Sequence, residues 1–344
     1  MKRLRSVARR ARAAVARRIT ARGLILIYHR VAEGPGDPWR LCVTPEHFAD
    51  QLETLRSLGL RIVPVSQLAR EVAQGRPQRG TVAVTFDDGY SDNLHLARPL
   101  LERFDVPATL FATSGYIGSD EEFWWDALQR VFLEPGELPQ VLELTVDGQM
   151  HRWELGGDAR LTRAQLAQLK EWKPFQPSPT VRHELHDELW EMLVRLEPTE
   201  RSRVLAELLD WAGLPRSARE SHRTLTADEL RRLGRDELVE IGAHSVTHPG
   251  LGAMPKPIRI GEIAGSKAQL EEMLARPVRG FSYPQGRSSA EVQSEARDAG
   301  YEYACGSVYE AVTARSELFH LPRVSARDWD GARLRTLIAR HLPL

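Results

Sequence analysis

Two short stretches hold the side chains best suited to chemistry. In TVAVTFDDGYSDN (residues 81–93), Asp87 and Asp88 stand side by side at the end of an apolar run. Like charges that close repel, and burying them costs more still. A cation beside them removes the repulsion, so the doublet asks for a metal. In IGAHSVTHPG (residues 241–250), His244 and His248 stand four apart. On one helical turn that spacing puts both imidazoles on one side. Two neutral imidazoles and one carboxylate make a three-ligand set with positions open for water. That is the pattern of a catalytic rather than a structural site, and it suits zinc, with cobalt and nickel as alternatives. The motif lacks the glutamate of H-E-x-x-H, so a base must come from elsewhere, and the doublet's unused Asp can supply it.

These residues need elements that deliver them to one place. GLILIYH (23–29), TVAVTF (81–86), ATLFAT (108–113), LVEIGAH (238–244) and RGFSYP (279–284) read as strands apolar on both faces. LRIVPV (60–65) reads as a further strand, with Ser66 capping a short helix. Helical patterns alternate with the strands. Thr44 and Pro45 open one helix that Gly59 stops, one spans about 92–104, one 262–275 and one 289–299. Strand and helix in alternation predict a parallel sheet or barrel, whose chemistry gathers at the carboxyl ends of the strands. Asp87, His244 and His29 all stand at such ends. The alternation lapses over 119–225, which reads as a mostly helical insertion after a short hairpin near LELTVDGQMHRWEL, and resumes at the Thr226–Glu229 capping box. Residues 23–118 and 226–344 together approach the roughly 250 residues typical of a (β/α) barrel.

Composition excludes some functions. Formal net charge is zero, so no global field points to nucleic acid. The two cysteines, Cys42 and Cys305, offer neither a disulfide framework nor a cysteine-based zinc site. No G-x-S-x-G elbow marks a serine hydrolase. Residues 1–22 carry nine basic residues and no acid on a weakly apolar helical pattern. They lack the apolar core of a secretory signal and suit contact with an anionic membrane surface. The expected place is cytoplasmic, at most peripheral at the inner face of the membrane.

TFDDG, HSVTH and FSYPQG, in this order, resemble the first three motifs of the polysaccharide deacetylases, the NodB-homology domain of carbohydrate esterase family 4. LIYHRV, DGYSDN, PATLFAT and LPRV fit the same family. FWWDAL, in the insertion, resembles a branch met in bacterial polysaccharide and glycoconjugate assembly. The resemblance covers residues 23–118 and 226–344. It implies a distorted (β/α) barrel of the NodB type and hydrolysis of an N-acetyl group on a sugar, with formyl or O-acetyl hydrolysis, or a non-catalytic carbohydrate-binding module, as alternatives. It makes Asp87 the general base and Asp88, His244 and His248 the metal ligands. The substrate implied is an N-acetylated glycan or lipid-linked sugar. A backbone N–H near Gln285 is expected to help the metal hold the oxyanion. The third motif lacks its usual arginine, which orients the base; Arg323 or Arg279 can substitute. The late histidine that serves as general acid is not clear by motif. His29 is the first choice by placement, and His320 in FHLPR the second. Phe123, Trp124 and Trp125 read as core rather than as a sugar platform, and so do Trp153, Trp172, Trp190 and Trp211.

Overall fold

A computed structural model describes residues 20–34, 37–169 and 171–342; the basic segment read over 1–22 lies, up to residue 19, outside them. Its main sheet has eight strands, all parallel: β1 (Gly23–Tyr28), β2 (Arg61–Ile62), β3 (Thr81–Asp88), β4 (Ala108–Ala112), β5 (Val239–Ala243), β6 (Gly280–Ser282), β7 (Tyr303–Cys305) and β8 (Val324–Ser325). The neighbour order is β7-β6-β5-β4-β3-β1-β8, with β2 beside the first residues of β3. The sheet curls, and the chain between β7 and β8 bridges its two edges. The Leu321 N–H donates to the Ala304 carbonyl at 2.9 Å, and from Val324, the residue after Arg323, the same segment pairs with β1. The result is a distorted barrel of the NodB type.

Period-two alternation along the strands divides the core. Leu24, Leu26, Val82, Val84 and Phe86 face outward and pack under the helices. Ile25, Ala83, Phe111, Tyr303 and Cys305 fill the barrel interior. Two large rings in so narrow a space demand two glycines. A Cβ at Gly242 would sit 2.5 Å from the Phe111 ring, and one at Gly280 would sit 2.3 Å from that of Tyr303. Residues 119–225 add the helices Trp124–Leu133, Val181–Leu193 and Pro198–Trp211 and the hairpin Val141–Val146/Gln149–Glu154, around a hydrophobic cluster of their own.

Several local expectations change. Of the strand read over 60–65 only Arg61–Ile62 pairs, because Pro64 caps a helix that begins at Val65, and Ser66 lies inside its first turn. The helix read over 92–104 starts as a π turn, Asn93–Ala97, and that read from 262 starts at Lys256. Strand β3 runs through the carboxylate doublet rather than ending before it. Thr44 caps its helix as expected, accepting from the His47 N–H. Among the described residues, no helix is long and apolar enough to cross a membrane.

Candidate active site and metal centre

The inner face of β3 carries Ala83, Thr85 and Asp87, so Asp87 points into the barrel mouth. Strict alternation would turn Asp88 outward. Its φ of 77° lies in the left-handed region and breaks the alternation. Both carboxylates therefore line one cleft of about 850 Å³ at the carboxyl ends of the strands. Register sets His29 beside them, since Tyr28 pairs with Phe86 and the next residues follow in step. The Asn93 side-chain amide donates to the His29 carbonyl at 2.9 Å and fixes that strand end.

His244 and His248 meet without the expected helical turn. HSVTH is an irregular loop, bent by left-handed backbone at Ser245 (φ 63°) and His248 (φ 56°). Such strained conformations persist where surrounding contacts over-determine them. Here Glu262 does so: its carboxylate accepts from the Val246 and Thr247 N–H groups at 2.9 and 2.8 Å and from the Thr247 hydroxyl at 2.7 Å. The buried Arg201 donates to the Thr247 carbonyl.

The three side chains fit a divalent cation. His244 Nδ1 lies 2.8 Å from the Ser282 carbonyl, which selects the Nδ1–H tautomer and leaves the Nε2 lone pair facing Asp88. Asp88 Oδ1 is 3.6 Å from His244 Nε2 and 3.7 Å from His248 Nε2. Ligands at about 2.1 Å from a tetrahedral ion stand roughly 3.4 Å apart. Burial lowers the pKa of both histidines, so the imidazoles are neutral, as ligands must be. Burial, then the charge of Asp87, pushes the Asp88 carboxyl well above its usual range. A cation is the group that would reverse that penalty.

Asp87 behaves in the opposite way. Burial, the largest single influence, would raise its pKa, but the surrounding groups, led by the charge and hydrogen bonds of the Arg323 guanidinium, together hold the carboxylate well below the usual range. The contact is bidentate: Nη1 to Oδ1 at 2.8 Å and Nη2 to Oδ2 at 2.7 Å. Arg323 also donates to the Ser282 hydroxyl at 2.7 Å and the Gly306 carbonyl at 2.9 Å. Arg279 instead pairs with Glu302 at the surface, so of the two candidates only Arg323 reaches the base.

The comparisons agree with this geometry. A family model described as polysaccharide deacetylase matches residues 74–147 and 215–304. Over those two segments the chain carries a polysaccharide deacetylase domain. The putative polysaccharide deacetylase YxkH of Bacillus subtilis (strain 168) is 30% identical over 95 residues, which are 27% of this chain and 33% of that protein. The match thus spans about a third of that curated relative. Among solved structures, the Streptococcus pyogenes deacetylase PplD, in complex with acetate, superposes with a TM-score of 0.58 at 16% identity, covering 94% of this chain and 100% of that one. IcaB from Ammonifex degensii gives 0.55 at 15% identity, over 92% and 97%. At such identities the structural likeness speaks for the fold.

Within this domain the other expected residues fare unequally. Gln285 borders the cleft in a left-handed conformation (φ 58°), and its side-chain Nε2 is buried without a partner. His29 reaches the cleft, but burial, and then the charge of Arg323 against the pull of Asp87, lower its pKa to about 4. It is therefore neutral at neutral pH and carries no imidazolium proton at rest, whereas a standing general acid would have to be protonated. His320 does not border the cleft; its Nδ1 bonds the Ser288 hydroxyl at 2.8 Å, and its ring fills the space over Gly306. Phe123, Trp124 and Trp125 are buried, and Trp124 and Trp125 also border the cleft. Trp125 packs on His248, ring centroids 4.5 Å apart. Its Nε1–H donates to the Tyr90 hydroxyl at 3.0 Å, and that hydroxyl donates to Asp126 at 2.6 Å. FWWD thus braces a metal-ligand candidate, a role that sequence spacing gave no means of finding. Trp153, Trp172, Trp190 and Trp211 are partly buried against the same cluster, and Trp190 also borders the cleft.

Proposed function

We propose that this protein is a metal-dependent hydrolase that removes the acetyl group from an N-acetylated sugar of a polysaccharide or glycoconjugate. The observation that carries the reading is the pairing of an ionised, arginine-clamped Asp87 with a buried Asp88–His244–His248 triad across one cleft. Asp88, His244 and His248 would hold a divalent ion, most simply zinc, with cobalt or nickel as alternatives. Such an ion acidifies water and offsets charge on a carbonyl oxygen.

The chain's own residues do the rest. Oδ2 of Asp87 already accepts from Arg323 and Ser282, whereas Oδ1 accepts from Arg323 alone. Oδ1 keeps the spare lone pair and takes the proton of the attacking water. Arg323 fixes the plane of that carboxylate and keeps it ionised. The Gln285 main-chain N–H is assigned to the developing oxyanion. The proton must then reach the leaving nitrogen. His29, in step with Asp87 and neutral at rest, is assigned as the relay rather than as a standing acid.

The test is acetate release from an N-acetylated oligosaccharide by protein stripped with a chelator and resupplied with zinc, cobalt or nickel. Activity should vanish on stripping and return with at least one ion. The same rate before and after stripping would refute metal dependence, and no acetate under any condition would refute the deacetylation.

A further inference from the structure

The mouth of the cleft carries more positive charge than hydrolysis of a neutral acetamide needs. Arg40, Arg195, Arg287 and Arg327 line it, and among the described residues Glu191 is the one lining carboxylate besides Asp87 and Asp88. Arg323 is neutralised by Asp87, but these four are not so matched. Among the described residues Arg40 pairs only with Glu171, whose side chain is 77% exposed, a kind of contact worth little. Arg327 donates to the Trp39 and Arg40 carbonyls at 3.0 and 2.8 Å. Burial and the neighbouring Arg40 disfavour its charge, and Asp37 only partly compensates. Arg195 and Arg287 are exposed and have no ion pair among the described residues.

The last two belong to segments that meet. A Cβ at Gly250 would lie 3.0 Å from the carbonyl of Val194, the residue before Arg195, and 3.6 Å from the side chain of Gln285, two residues before Arg287. Gly250 also donates its N–H to the Val194 carbonyl at 3.2 Å. Beside them stands an aromatic ledge, with the Trp39 and Trp190 rings 5.1 Å apart and Phe175 5.4 Å from Trp190 and 51% exposed. A rim with four guanidinium groups and a single carboxylate suits a ligand rich in acceptors and negative charge, because the planar fork matches an oxyanion.

We propose that the substrate of this cleft carries an oxyanion, phosphate or carboxylate, next to its acetylated sugar, and that Arg195, Arg287 and Arg327 recognise it. This rests on the reading of the cleft as a carbohydrate deacetylase site. It adds that neutral glycans are poor substrates and that charge beside the sugar governs KM. Attraction by exposed arginines is screened by salt, so the selectivity should fade as ionic strength rises.

The test uses the metal-loaded full chain and three product-like probes: glucosamine, glucosamine 1-phosphate, and the amino sugar oxidised to its uronate. Binding is measured by calorimetry. At low salt at least one anionic probe should bind about tenfold or more tightly than glucosamine, as charge-assisted hydrogen bonds allow. The more tightly bound probe names the source of the oxyanion. The gap should close in the double variant Arg195→Gln/Arg287→Gln, whose exposed side chains leave the core untouched, and in wild type at 0.5 M salt. Equal binding of all three probes by wild type, or a gap that survives in the double variant, overturns the proposal. Acetate release from the N-acetylated forms is followed in parallel. A binding gap without acetate from any of them would sustain the oxyanion site and overturn the deacetylase reading instead.

Discussion

Asp87 is 4% exposed and still ionised, so its chemistry depends on one guanidinium. A carboxylate with a depressed folded pKa contributes stability above the unfolded value, about 3.9, and loses it as pH falls through the folded value. Arg323→Gln removes the partner, and the pKa of Asp87 should rise. The acid limb of the kcat/KM profile should then move to higher pH, and stability at neutral pH should fall by about 3–5 kcal/mol, as for an orphaned buried charge. A profile unchanged on its acid side would show that Asp87 is not the base. Division of labour within the doublet is checked by metal content. Asp88→Ala, His244→Ala and His248→Ala should lose metal and activity together. Asp87→Asn should keep the metal and lose turnover by about 100- to 10,000-fold. For His29→Ala we expect a loss of similar order with metal content unchanged. Because its pKa is about 4, the wild-type rate should show no alkaline fall near pH 6–7 that His29→Ala removes. Steady-state rates against pH decide it.

At the level of elements, the metal loop is held by structures remote in sequence. Glu262 comes from the helix Lys256–Leu274, Arg201 from Pro198–Trp211, and Trp125 from Trp124–Leu133. The brace beneath His248 has a pH signature of its own. Burial raises the pKa of Asp126 to about 7, against the pull of Arg30 and its bond from Tyr90. A group with a raised folded pKa contributes stability below its unfolded value, and that contribution is lost as pH rises through the folded one. Wild type should therefore lose stability relative to Asp126→Asn between about pH 4 and pH 7, at a slope approaching about 1.4 kcal/mol per pH unit. Urea midpoints of both proteins across that range measure it, and parallel curves would mean that Asp126 stays ionised. The amide in the Asp126→Asn variant keeps an oxygen for the Tyr90 hydroxyl, so the comparison isolates the charge.

For the molecule as a whole, metal and fold are linked. Without a cation, Asp88 is buried beside Asp87 and its ionisation is disfavoured, so the chelated protein should be the less stable form. An ion present at a thousandfold excess over its dissociation constant stabilises by about 4 kcal/mol. Thermal midpoints of chelated and metal-loaded protein should thus differ by several degrees. The gap should widen from pH 5 to pH 8, because the carboxyl must lose its proton to bind. An equal midpoint in both forms at pH 8 would remove the metal from these three residues.

How much of this was legible beforehand follows from the range of the interactions involved. Apolar runs and capping residues are local, so β1, β3, β4 and β5, the Thr44 cap and the Thr226–Glu229 box could be read off the chain. Asp87, Asp88, His244 and His248 could be gathered into one site because each motif follows a strand to its end, and parallel strands end on one side. Side-chain direction past a strand end is not local. That both carboxylates face one cleft depends on left-handed backbone at Asp88, and that two histidines meet without a helix depends on Glu262 and Arg201. The choice of Arg323 over Arg279 turned on which face of the closing segment points inward, a matter of register that spacing alone leaves open. The charge state of His29 was out of reach for the same reason: a strand-end histidine has a pKa set by what the fold packs around it, and only the assembled barrel places it in a site dry enough to hold it neutral.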